Sequence, residues 1–424
     1  MKLFMRFYTW LLIGIPVPLS GQSYPWPAAL DTLVDELIRN NGDLLSMKYK
    51  IESIEFEKER ISSWEPPQAG IEFFQMPVKS FPLVTKNNME TDYFIQQMIP
   101  WPGKTASMRR PLNSKKNMMT EEYYDQQSRM IREFKTLYIE LFITLKQKQL
   151  NRENNRILNQ WLDILQKQYQ SGMTTLLDIA TTRNEIYKLQ TDYIVLEKQS
   201  QRIRSSLNAM LSRPDSSSII PDTILAVSDI IFSAIDSVER ALDNKAELKS
   251  IQWRISMEQL DIVAIHKEKY PDFMIKAMYK NMTGRPHDYW SVMLGVTLPF
   301  SWWSKNMYLG KIGEKQITIK SLQADLYYKK QLYRNEIAAL KNDLDGRYQN
   351  VKLYENIILP NNQLSLQTAM KLFESGKSNY MQIMEIYRMH VMSQTDYWMH
   401  VMNYLTAMAR LEEIAGRHSV HTQN

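Results

Sequence analysis

Apolar residues recur at alternating steps of three and four through residues 375–416: Tyr380, Ile383, Tyr387, His390, Gln394, Tyr397, Val401, Tyr404, Met408 and Leu411. Held for about four heptads, this spacing predicts a helix packed along its whole length in a coiled coil. A second stripe, Met384, Val391, Trp398, Met402 and Leu405, makes the helix apolar towards two neighbours, as in a wall of helices. Helical patterning also covers 31–63, about 104–170, 174–211, 246–269 and 301–374. Trp64-Glu65-Pro66-Pro67 and Tyr270-Pro271 stop two of these helices, because proline pushes the preceding residue out of helical geometry. Roughly 60 residues of helix after Lys104 would be about 90 Å long, far beyond the width of a small domain. The polar run 151–156 weakens its seam (Ile131, Phe134, Tyr138, Leu141, Leu145), which predicts a bend or a change of partner there. Gly172 and Gly376 break the pattern and predict two antiparallel hairpin tips, with Thr174 and Thr175 able to cap the returning helix through Leu176, Ile179 and Ile186. Pro360 predicts a kink.

Between the helices the period changes to two. Residues 70–76 and 92–99 form one predicted strand pair, around a Pro/Lys/Asn-rich loop at 77–90; residues 273–282 and 289–299 form a second, around the turn 283–287. In the second pair Phe273, Ile275, Ala277 and Tyr279 alternate with Met274, Lys276, Met278 and Lys280. Trp290, Val292, Leu294, Val296 and Leu298 alternate with Ser291, Met293, Gly295 and Thr297. One apolar and one wetter face over about ten residues fits a membrane-spanning β-barrel strand; it equally fits a half-buried soluble sheet. Four strands cannot enclose a lumen, whereas about eight can. If these strands span a membrane, the barrel is shared between protomers.

One offset joins the two halves. Gly376 lies 204 residues after Gly172, and so do Leu411 after Leu207, Ala246 after Gly42 and Pro271 after Pro67. Four landmarks at one distance identify a tandem repeat. The division that follows is 1–21 signal peptide, 22–213 first repeat, 214–229 linker, 230–418 second repeat (opening on a short helix at 230–242) and 419–424 tail.

With 424 residues, 13 glycines, 44% hydrophobic and 23% charged residues, the composition favours long helices. The net charge of +6 is spread along the chain, without a cluster or motif for nucleic acid. Cysteine is absent, which excludes disulfides, thiol catalysis and a lipidated cysteine. Lys2 and Arg6 ahead of the apolar run 7–19 read as a secretory signal with cleavage near Gly21. No later run reaches the ~20 apolar residues of a membrane helix. Methionine is abundant, at 26 residues, and Met389, Met392 and Met399 share one helix face near Asp396. Thioethers bind soft cations, yet methionine is also an adaptable core filler. His390 sits on the apolar seam, where packing explains it. No metal site, cofactor or catalytic constellation is assigned.

These features together resemble the outer-membrane efflux channels of the TolC type. The resemblance is carried by the two tips, SGMTTLLDIATTRNEI and SGKSNYMQIMEIYRMH, the openings NNGDL and NKAEL, the Pro-strand-loop-strand inserts, GVTLPF, and the closing LNAML and LEEIAG. PWPGK after a strand is similar to the branch paired with heavy-metal pumps. The resemblance implies a mainly α fold with β: long antiparallel hairpins forming a trimeric α-barrel, and four strands per protomer contributing to a shared 12-stranded transmembrane barrel. It implies an exported homotrimer in outer-membrane lipid with a periplasmic tunnel. Such a trimer would conduct drugs or metal ions passively from an inner-membrane pump, of the RND type, and a periplasmic adaptor. It would not be an enzyme. The positions matching the family's gate are Asp178, Gln382 and Glu385, where three copies of Glu385 would form a cation-favouring ring. Gln382 departs from the acidic pattern, and Asp178 and Glu385 are also explained as solvated helix residues. The adaptor-docking positions are Gly172, Met173, Thr174, Gly376, Lys377 and Ser378. The alternatives are a periplasmic coiled-coil adaptor and a secretion-system outer-membrane duct. Two hairpins at one offset, with few glycines, disfavour the adaptor.

Overall fold

The computed structural model describes residues 26–74, 90–221, 227, 242–282, 286–299 and 301–415. The signal segment 1–21, nearly all of the 77–90 loop, most of the 230–242 helix and the tail 419–424 lie outside the described residues.

Eight α-helices and one sheet are described, in the order α1 (Ala28–Asn40), α2 (Gly42–Ser62), β1 (Gln68–Phe74), β2 (Glu90–Ile99), α3 (Lys104–Gln170), α4 (Leu176–Met210), α5 (Ala246–Glu268), β3 (Phe273–Met282), β4 (Tyr289–Val296), α6 (Lys305–Leu353), α7 (Leu359–Glu374) and α8 (Tyr380–Ala415). Helix, two strands, long helix and returning helix thus occur in that order on each side of residue 227.

The single helix expected over 31–63 is two. Asn41 takes an extended conformation, its Oδ1 accepts from the N–H groups of Asp43 and Leu44, and its Nδ2 donates to the Met210 carbonyl. A local cap outcompetes the helical ladder there.

At 67 residues, α3 is about 100 Å long. It stays unbroken through 151–156 and keeps its partner α4 there, so the expected exchange of partners does not occur. Polar ties replace the seam: Lys148 pairs with Glu197, Asn151 Nδ2 donates to the Leu189 carbonyl (3.0 Å), and Arg152 donates to Tyr193 Oη (2.6 Å). The apolar core divides there instead. One cluster surrounds Phe134, Tyr138, Leu141, Val401 and Tyr404; the other surrounds Leu158, Trp161, Ile383 and Tyr387 towards the tips.

Pro360 lies in the first turn of α7 and is preceded by a π-helical turn, Tyr354–Ile358. Its ring crowds the carbonyl four residues back and it has no N–H to offer, so the turn widens and the helix continues. On α8 the seam is buried at every position except Gln394 and Tyr397, which are half-buried.

The four strands form one antiparallel sheet in the order β1-β2-β3-β4. β1 and β2 begin two residues earlier than expected, and Met76 lies outside the described residues. β4 ends at Val296, short of Pro299; Thr297 turns back to give its N–H to the Asp272 carbonyl at 2.9 Å. Register places Ile71, Tyr93, Tyr279 and Trp290 in one row, Ala69, Ile95, Ala277 and Val292 in the next, then Gln97, Ile275 and Leu294, then Ile99, Phe273 and Val296.

Candidate functional site

Two ends of the molecule carry unusual surface chemistry. At the first, both hairpins turn. Gly172 and Gly376 take φ of +75° and +70°, in the left-handed region where a side chain is strained. Both turns close alike. The N–H of Met173 reaches the Gln168 carbonyl and that of Gly172 the Tyr169 carbonyl; Lys377 reaches Leu372 and Gly376 reaches Phe373. This is the Schellman arrangement, twice.

The helices that leave the turns start at caps close to the gate candidates. Thr175 and Asp178 form a capping box on α4, in which Asp178 Oδ2 accepts from Thr174 Oγ1 (2.8 Å), Thr175 Oγ1 (2.8 Å) and Thr175 N–H (3.0 Å). Burial pushes the Asp178 carboxyl up, but the donors from Thr175 and Thr174 outweigh it and hold the group below the usual carboxylate range. At α8, Asn379 Oδ1 accepts from the Gln382 N–H (2.9 Å), and Ser378 Oγ donates to Gln382 Oε1 (3.1 Å). Asp178 and Gln382 therefore occupy the same local position: the Asp178 side chain completes a capping box, whereas at Gln382 the capping side chain is Asn379 and the Gln382 side chain bonds only Ser378. Glu385 is exposed on α8.

The two tips are tied together. Thr182 Oγ1 bonds Tyr380 Oη at 2.9 Å in a buried setting, Arg388 pairs with Glu185 at 2.6 Å, and Gln168 Nε2 donates to the Phe373 carbonyl at 3.3 Å. These ties join α4 to α8 and α3 to α7. Sequence reasoning missed them, because residues so far apart meet only in the fold. Of the apolar positions along the returning helix, Leu176 is exposed, together with Leu177, Met173 and Met381. The first tip thus presents an apolar collar around Gly172, while the second offers Met381 beside Gly376.

At the other end, the sheet exposes oil. Trp290 and Leu294 are each 76% exposed and Val292 69%, and Ile71, Tyr93, Ile95, Phe273 and Ile275 share their face. The opposite face carries the charges: Lys280 pairs with Glu90 (2.8 Å) and Asp92 (3.1 Å), and Lys276 lies 3.6 Å from Glu72. A soluble sheet has these faces reversed. Aromatic residues gather at both limits of the apolar band. Trp101 stacks between Tyr270 (5.5 Å) and Phe273 (5.6 Å), and Trp302 meets Trp303 at the helix end; the row Tyr93–Tyr279–Trp290 lies near the far end. The rows of Phe273 and Tyr279 are six residues apart, or about 20 Å along a strand. That approaches the roughly 25 Å apolar band of membrane barrels.

No protein-family model matches the chain, and no curated protein matches its sequence. Solved structures do match. The outer-membrane channel OprN superposes with a TM-score of 0.75 at 11% identity, over 92% of this chain and 90% of its own. The outer membrane protein VceC from Vibrio cholerae gives 0.74 at 14%, over 92% and 99%. CusC, described in connection with transmembrane channel formation, gives 0.71 at 14%, over 96% and 97%. The chain has the TolC-like outer-membrane channel fold.

In this channel fold the exposed face of the sheet and the two hairpin tips lie at opposite ends of the long helices. The helix–sheet joint between them is held by Asp272, which accepts from Lys104 Nζ (2.6 Å) and the Trp101 N–H (3.1 Å) while its own N–H donates to Thr297 Oγ1 (2.7 Å). Gly103, with φ of +82°, lets the chain turn into α3 beside it. No described helix is long and apolar enough to cross a membrane. Among the described residues no group of three or more His, Asp or Glu could hold a metal ion. Met389, Met392 and Met399 are exposed, and His390 is buried with its Nδ1 unpartnered.

Proposed function

We propose that this chain is the outer-membrane duct of a tripartite efflux system, conducting drugs or metal ions passively from an inner-membrane pump and a periplasmic adaptor to the exterior. The observation that carries the reading is the inverted sheet: an exposed apolar face, a charged opposite face and two open edges. In an all-antiparallel four-stranded sheet β1 and β4 run oppositely, so β4 of one protomer can continue the ladder with β1 of the next. Such head-to-tail edges generate a ring when the rotation closes. Three protomers give twelve strands, an outer surface matched to lipid and an inner one matched to water.

The long hairpins then form the periplasmic tunnel, with the two halves of the chain read as copies of one unit. Its far end is the gate, where Glu385 from three protomers faces the axis and Asp178 and Gln382 fix the turns that carry it. The tips, at Gly172, Met173, Thr174, Gly376, Lys377 and Ser378, dock the adaptor, the first of them through its exposed apolar residues, and an RND-type pump supplies the energy.

Detergent-extracted outer membranes, run unboiled and boiled on a gel, test the assembly. A band near three protomers that collapses on boiling is expected, followed by a changed closed-state conductance for Glu385→Ala. A monomer released by washing with salt would overturn the reading.

A further inference from the structure

We propose that Gly70 acts as a bed that keeps the bore of the barrel clear, and that Phe94, laid flat over it, sets the width of the bore. The proposal rests on the shared-barrel reading above. Both glycines of the described strands lie on the charged face, and each has a large side chain directly opposite on the paired strand: Phe94 for Gly70 and Met274 for Gly295. A methyl group placed on Gly70 would sit 2.6 Å from Cζ of Phe94, and one on Gly295 would sit 2.8 Å from Cε of Met274. Both distances are far inside van der Waals contact.

Neither glycine has a positive φ, so neither is required by its backbone. Glycine in a strand interior weakens it, and a close approach by another group is a usual reason to find it there. Here the missing Cβ is the function. The ring of Phe94 lies along the wall rather than across the lumen, and the Lys276 ammonium sits over it, 4.0 Å from its centroid.

Other large side chains on this face are less restrictive. Met98, Met274, Met278, Met282 and Met293 all share it, and thioether chains bend out of the way. Phe74 and Tyr289 are at strand ends, which leaves Phe94 as the rigid ring in mid-strand. Around a threefold axis the three Phe94 rings occupy one level. Any side chain on Gly70 lifts all three into the bore together.

The chain has no cysteine, so Met98→Cys gives a single thiol on the same face, two inward rows closer to the helices than Phe94. Cells bearing the channel are treated from outside with a small maleimide and with a polyethylene-glycol maleimide, a route that bypasses the gate. Gly70→Val is expected to slow the bulky reagent several-fold and to leave the small one unchanged, and adding Phe94→Ala restores the bulky rate. Should Gly70→Val fail to give the heat-modifiable trimer, Gly70→Ala reads the same step. Equal bulky-reagent rates with and without the Gly70 substitution, or no restoration by Phe94→Ala, would overturn the proposal. A thiol that even the small reagent cannot reach in the Met98→Cys parent would overturn the channel reading itself.

Discussion

Replacing Asp178 with alanine removes three hydrogen bonds at once, from Thr174 Oγ1, Thr175 Oγ1 and the Thr175 N–H, together with a negative charge at the start of α4. Loss of a cap typically costs about 0.5–2 kcal/mol. Loss of the favourable charge at an exposed helix N-terminus adds about 0.3–1 kcal/mol. Little packing compensates, because Leu176 and Leu177 face solvent and Ile179 is the first buried residue of the helix. The first turn of α4 is therefore expected to fray by about 1–2 kcal/mol, equivalent to amide exchange roughly 5–30-fold faster. Hydrogen–deuterium exchange on peptides covering residues 173–181 measures this, and the rest of α4 serves as the internal reference. Asp178→Asn keeps an acceptor and loses only the charge, so its effect should be about half as large. The sign of the pH dependence follows from the lowered carboxyl pKa: the capping stability is present above about pH 4 and is lost as pH falls through the lower folded-state value. Unchanged exchange in Asp178→Ala would refute the capping argument. Unchanged exchange with raised closed-state conductance would show that Asp178 acts through its charge on the pore axis.

Three further outcomes are expected. Glu412→Gln should lower the urea midpoint of helix unfolding by an amount equivalent to about 3–5 kcal/mol, because it removes the carboxylate 2.6 Å from Lys135, which is only 1% exposed; Lys135→Met in the same chain should recover most of the loss. Asp272→Ala removes the bonds from Lys104 and Trp101 at the helix–sheet joint, and should lower the temperature at which the proposed trimer collapses on a gel by a loss of about 2–3 kcal/mol per protomer. His390 is held below the usual imidazole range by burial, so the folded chain takes up its proton later than the unfolded one. Stability should fall as pH drops below about 6.5, and His390→Leu should flatten that part of the urea-midpoint profile; identical profiles would refute it.

The helices were legible in the sequence because a seam repeated over many turns leaves a pattern that no single residue can obscure. Both tips were legible for the same kind of local reason: Gly172 and Gly376 occupy positions where the backbone demands a left-handed turn. The break at Asn41 was missed although its signal, Asn-Gly-Asp inside a helical run, was present in the chain. The unbroken path of α3 through 151–156 was not readable. Its polar side chains look like a gap in the seam until Glu197, Leu189 and Tyr193 are seen to supply their partners.

The candidate site divides in the same way. Asp178 and Gln382 could be found by counting from the glycines, but only the fold shows that Asp178 is occupied in capping and that Gln382 is bonded to Ser378. Alternation along β3 and β4 fixed which residues share a face, since the strand period is two. It could not say which face meets solvent. That depended on what packs on the sheet, and the described chain leaves the apolar side uncovered. The amino-acid pattern alone was enough for the periods, the two tips and the 204-residue offset, all of which act over one or two turns of chain or compare like with like. The tertiary structure alone decided the ties between α4 and α8, the clamp at Asp272 and the seating of Phe94 on Gly70. Those are contacts between residues brought together by packing, and no local rule encodes them.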